Sequence, residues 1–118
     1  MPTPGQAPLS EQSCVACKPG SPHLSREEID HRLGQLDGWT IEEAGDHLRL
    51  AKVFKFKGFL PGVDLVNRIA AIAEAEQHHP DLLVRYGSVT VWLWTHAAAG
   101  ITQNDFILAA KIDRLQGA

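Results

Sequence analysis

Two strand–turn–strand runs, with one long helical segment between them, leave this chain few folds to choose from. The first run begins with an extended stretch from Trp39 to Glu43 and turns at Ala44-Gly45-Asp46. It then continues from His47 to Phe56, where apolar and basic residues alternate. Such alternation marks a strand with one face buried. Leu48 and Leu50 open the series and Val53, Phe54 and Phe56 close it, so the break in step near Ala51 predicts a β-bulge. The second run is Leu82–Tyr86, a tight turn at Gly87-Ser88, and Val89–His96. Here Val89, Val91 and Leu93 share the core face, while Thr90, Trp92, Trp94 and His96 share the other.

The segment between the runs starts at Gly58. Phe59, Val63, Val66, Ala70 and Ala73 mark an apolar face, widened by Leu65, Ile69 and Ile72, with Pro61 tolerated in the first turn. Pro80 ends the helix, because a residue before proline is pushed out of the helical region. Upstream, Ser25-Arg26-Glu27-Glu28 is a capping box; Ile29, Leu33 and Leu36 follow at helical spacing, so a helix is predicted over 26–36, stopped by Asp37-Gly38. Downstream, Thr102 caps a last helix carrying Phe106, Ile107, Ala110 and Leu115. The order α-β-β-α-β-β-α predicts an α+β fold, with one antiparallel sheet covered on one face by helices.

Residues 1–22 carry Pro2, Pro4, Pro8, Pro19, Pro22, Gly5 and Gly20 and few large apolar groups. They read as a tail outside the core, leaving 23–118 as the domain. Within the tail Cys14 and Cys17 form a C-x-x-C. A structural zinc site wants four ligands and only His23 lies near, while no βαβ pattern supports a thioredoxin-like pair, so the segment reads as peripheral. A formal charge of -3 over 118 residues, with acids and bases interspersed, argues against nucleic acid as the ligand. No apolar run is long enough for a membrane span and no secretory signal opens the chain; the expected location is the cytoplasm.

Chemistry concentrates in Glu74, the His78-His79-Pro80 triplet, His96, and Thr102 to Asp105. Adjacent helical residues point about 100° apart, so His78 and His79 could not address one spot in mid-helix. Before a helix-ending proline they can be re-aimed, and His96 at a strand end can meet them. Imidazole titrates near neutrality and can both give and take protons, which acid–base catalysis requires. Three histidines also suit a metal site.

The pattern Glu74-x-x-x-His78-His79-Pro80, then Tyr86, His96, and Asp105 in an Ala-Gly-Ile-Thr-x-x-Asp stretch, resembles the signature of the pterin-4a-carbinolamine dehydratase family. Gly38-Trp39 and Phe54-Lys55-Phe56-Lys57-Gly58-Phe59 are similar to that family's upstream sequence, and the likeness runs from Leu24 to Leu115. It implies a four-stranded antiparallel sheet with three helices, assembled as a homodimer or homotetramer. It implies a pterin substrate, dehydrated from the 4a-hydroxytetrahydropterin to the quinonoid form without metal or other cofactor. It implies acid–base roles for His78 and His96 and substrate holding by His79. Backbone around Pro80, Thr95, Ala97 and Ala98 would contact the pterin, with Glu74 and Trp39 bordering the site. Some family members also bind transcription factors, so an interaction role is the rival reading. Gln77 and Asn104 depart from the acid and the arginine some members carry there. His31 and His47 read as solvated. Trp92 and Trp94 share the His96 face and read as packing or interface groups rather than as a platform for a flat ring.

Overall fold

The computed structural model describes residues 7–117; the first six residues of the expected tail lie outside these. Its regular elements follow the predicted order: α1 (Arg26–Leu33), β1 (Thr40–Ala44), β2 (His47–Lys55), α2 (Leu60–Glu76), β3 (Asp81–Arg85), β4 (Ser88–Leu93) and α3 (Gln103–Gly117). The strands form one antiparallel sheet in the order β1-β2-β4-β3, so the long helix carries the chain from the middle of the sheet to its far edge.

The Ser25 capping box forms as expected: Ser25 Oγ accepts from the Glu28 N–H and Glu28 Oε1 accepts from the Ser25 N–H. α1 stops at Leu33, short of the predicted Leu36. Gly34 caps it, and the chain continues in tight turns closed by Gln35 and Leu36 N–H groups. Glycine loses more backbone entropy on entering a helix than any other residue, which suits an early stop.

On the helix-covered face Leu50, Phe54, Val89, Val91 and Leu93 pack beneath Leu65, Ile69, Phe106, Leu108 and Ile112. The buried stripe of α2 is Gly62, Leu65, Ile69 and Ala73, one step round from the predicted face; Phe59 and Ala70 are exposed. The reason is close approach. A Cβ on Gly62 would lie 3.1 Å from a Val89 methyl, so the bare backbone lets α2 settle on β4.

The predicted bulge is absent. β2 pairs in unbroken register with β1 over Ala51 to His47 and with β4 over Leu50 to Lys55. Lys52 therefore lies on the covered face with Leu50 and Phe54, while Val53 faces outward, 49% exposed. The break in alternation is a lysine that the core accommodates. Its Nζ donates to Asp113 Oδ1 (2.8 Å) and the Asp37 carbonyl (2.7 Å), and lies 4.9 Å from the Phe54 ring centroid. Asp113 also accepts from Trp39 Nε1 at 3.0 Å. Gly38, at φ 81°, sits against this lysine; a Cβ there would meet Lys52 Cε at 3.1 Å.

The N-terminal segment, expected outside the core, contributes Leu9 to it. Ser10 accepts from Lys111 on α3, and further on Leu24 N–H donates to the Ile101 carbonyl. No helix among the described residues is long and apolar enough to cross a membrane.

The Lys52–Asp113 pair is only about one-fifth exposed on either side chain. Asp113→Ala strands the Trp39 indole N–H and leaves the lysine amine with the Asp37 carbonyl alone, and should cost about 2 kcal/mol of unfolding free energy. Lys52→Met keeps the aliphatic stem against Phe54 and should cost less. Urea unfolding of the two variants checks the order.

Candidate active site

α2 ends on Gln77, whose backbone takes the left-handed conformation (φ 54°, ψ 40°). The Gln77 side chain donates to the Glu74 carbonyl and the His78 N–H donates to the Ala73 carbonyl, so the last turn closes on itself. This reversal, immediately before Pro80, separates the two imidazoles and sends them to different carboxylates.

His78 reaches inward. Its Nε2 lies 2.6 Å from Asp105 Oδ1, with the histidine side chain 11% exposed and the aspartate 0%. Asp105 Oδ2 accepts from Thr95 Oγ1 (2.8 Å) and from the Thr102 N–H (2.9 Å). Because Thr95 spends its one hydroxyl proton on Asp105, Thr102 must donate to Thr95 across their 2.7 Å contact. Asp105 is thus an acceptor on both oxygens, and His78 presents its Nε2–H to Oδ1, which turns Nδ1 away from the acid. A buried carboxylate needs such complete satisfaction to be tolerated. Thr102 precedes α3 as expected, but its capping partner is the Asp105 side chain reaching back from the first turn.

His79 reaches outward, its Nε2 2.7 Å from Glu74 Oε1, in a pair more than half exposed on both sides. His96 opens a short 3-10 turn just after β4. Its ring stacks on Trp94 at 3.8 Å between centroids, and His47 stacks on the same indole at 3.6 Å. His47, expected to be solvated, is instead the outer member of a three-ring stack. Trp92 packs under the Arg49 guanidinium and donates to Glu42.

His78, His79 and His96 line one cavity of about 340 Å3, together with Gln77, Pro80, Asp81, Trp94, Thr95, Ala97 and Asn104. Val15, Ala16 and Cys17 of the N-terminal segment line it too. Trp39 and Ala98, expected to border or contact the substrate, are not among its lining: Trp39 is buried at Asp113, and Ala98 is buried. Glu74 reaches the cavity only through His79, and Tyr86 is 80% exposed. A larger hollow of about 630 Å3 lies between Pro8–Ser10, the loop after α1, and α3. It carries a single histidine, His31, with Asp37, Asp113 and Arg114, and Asp113 is already committed to Lys52 and Trp39. Among the described residues no group of three or more His, Cys, Asp or Glu side chains is arranged to hold a metal ion.

Sequence reasoning quoted Asp105 without a partner and missed Trp94 and His47 as a stack and residues 15–17 as cavity lining. The Thr102-x-x-Asp105 spacing was the available signal for the first; backbone docking of a Pro/Gly-rich segment leaves none.

Comparison with known proteins agrees with this architecture. The family model for pterin 4 alpha carbinolamine dehydratase matches residues 22–115. A Rickettsia bellii protein carrying that family's name is 46% identical over 109 residues, covering 92% of this chain and 94% of its own. A Rickettsia canadensis counterpart is 47% identical over 106 residues, covering 89% and 94%. A Brucella melitensis crystal structure, described as a transcriptional coactivator/pterin dehydratase, superposes with TM-score 0.73 at 32% identity, covering 80% of this chain and 99% of that one. A pterin dehydratase-like RuBisCO assembly factor of the alpha-carboxysome shares the fold at TM-score 0.57 and 23% identity, covering 70% and 93%. By sequence and by fold, the chain belongs to the pterin 4 alpha carbinolamine dehydratase family.

Proposed function

We propose that the protein dehydrates a 4a-hydroxytetrahydropterin to quinonoid dihydropterin and water, regenerating pterin for aromatic amino acid hydroxylases, with His78 and His96 as the acid–base pair. The observation that carries this reading is a single cavity holding three histidines, one of them backed by a fully buried carboxylate, in a chain of this family.

In the reaction the N5 proton goes to a base while the 4a-hydroxyl takes a proton and leaves as water; the C4a–O bond breaks and a C4a–N5 double bond forms. His78 suits the base. With its Nε2–H given to Asp105, the neutral ring would take the proton on Nδ1, and Asp105 stabilises the imidazolium that results, as a buried aspartate does behind other catalytic histidines. His96, as imidazolium, gives its proton to the leaving hydroxyl. One histidine ends protonated and the other not, and exchange with water restores both. For the opposite stereoisomer at C4a the two exchange roles. His79, steadied by Glu74 at the rim, holds substrate along with Pro80, Thr95 and Ala97.

Losing one positioned acid or base costs about 100- to 10,000-fold in rate. His78→Ala and His96→Ala should therefore lower turnover, down to the uncatalysed background, while His79→Ala should chiefly raise KM. Steady-state kinetics with freshly generated carbinolamine provides the test; near-normal turnover in both of the first two variants would sink the acid–base assignment.

Activity should survive exhaustive chelation. Loss to a chelator with recovery on adding zinc would move the reading to a three-histidine metal centre.

We also infer self-association. β1 and β3 are sheet edges, and Val53 and Leu83 stand 49% and 39% exposed on the face without helices. Light scattering at micromolar concentration should report a dimer or tetramer, and a monomer would contradict this.

A further inference from the structure

Asn104 is 4% exposed, yet it is not a core residue in the ordinary sense: its amide clamps the N-terminal segment. Oδ1 accepts from the Val15 N–H at 2.9 Å and Nδ2 donates to the Val15 carbonyl at 2.6 Å, the two-point pairing a neighbouring strand would make. Around this clamp the Cys14 N–H donates to Glu76 Oε1 at 2.7 Å. Both thiols touch the same asparagine, Cys14 Sγ 3.6 Å from its carbonyl and Cys17 Sγ 3.6 Å from its Nδ2. The Gly20 N–H donates to Ala97 O at 3.0 Å and fastens the far end. Held in this way, Val15, Ala16 and Cys17 line the cavity that also holds the three histidines.

We propose that Val15, Ala16 and Cys17 are a substrate-contacting wall of the pterin site, and that Asn104 is the positioning residue that seats it. The proposal rests on the pterin reading above. The wall brings no acid, base or nucleophile to the reaction. Its contacts are the same before and during proton transfer, so it acts on binding and leaves turnover alone. Asn104 occupies the place where the family resemblance leads one to expect a cation in some members. Here that position faces a backbone instead, and the site recognises its ligand through the wall the asparagine holds.

Two measurements test this. The first is alkylation by iodoacetamide. Burial, reinforced by the charge and hydrogen bond of Glu76, pushes the Cys14 thiol up to about 12. At about pH 8 Cys14 is therefore held out of the reaction, and Cys17→Ser verifies that the label sits on Cys17 by losing it. A stable oxidised pterin at saturating concentration should slow labelling several-fold; unchanged labelling at a concentration that demonstrably binds would overturn the wall. The second is kinetic. Asn104→Ala removes both hydrogen bonds to Val15 and the weaker one to Cys17 Sγ, and should raise KM about tenfold with turnover nearly kept. Cys17→Trp, which leaves the clamp intact and fills the cavity, should do the same and covers the case in which Asn104→Ala fails to fold. Unchanged KM in both folded variants would also overturn the proposal. A wild-type protein without dehydratase activity would instead sink the functional reading, whereas protection of Cys17 by pterin needs no turnover and would still place the wall at a pterin site.

Discussion

A fully buried carboxylate has to be paid for in hydrogen bonds, and Asp105 obtains them from three separate parts of the chain. The end of α2 supplies His78, the end of β4 supplies Thr95, and the entry to α3 supplies the Thr102 N–H. Removing any one leaves a buried acceptor short, at a cost of a few kcal/mol. The acid therefore fixes the mutual placement of two helix ends and a strand end more tightly than apolar packing alone would. It fixes the catalytic candidate with them. The hydroxyl chain from Thr102 through Thr95 runs one way, toward the carboxylate.

Most of the architecture was legible in sequence because its signals are local. Gly45 and Gly87 mark hairpin turns with positive φ, Ser25 and Glu28 form a box three residues apart, and Pro80 stops a helix. What failed depended on partners distant in sequence. Lys52 broke the alternation of β2 and was read as a bulge, since nothing near it reveals that Asp113 waits to neutralise it. The face of α2 was misjudged by one step because Gly62, which has no side chain to bury, is where helix and sheet come closest.

The site divides along the same line. The histidine pair before Pro80 and the later His96 were visible as a spacing, and the fold brings all three to one cavity. That His78 and His79 face opposite ways, one to a buried acid and the other to an exposed one, follows from the left-handed turn at Gln77, which spacing does not disclose. The family resemblance implies that Trp39 borders the site, but its indole N–H is taken up by Asp113. Residues 15–17 looked like a tail because composition reports what a segment lacks, and this one is held by its backbone.

The two histidines proposed for proton transfer are held by different means, and this gives them different freedoms. His78 is tied by a directional hydrogen bond and can present only one edge to the cavity. His96 is held through its face: it lies on Trp94, itself backed by His47, and among the described residues nothing hydrogen-bonds its ring. A half-turn about the Cβ–Cγ bond keeps that ring in the same plane against the indole while exchanging its two edges. The stack thus sets the plane of His96 and leaves its handedness open, so one rigid imidazole faces one reversible one across the same cavity.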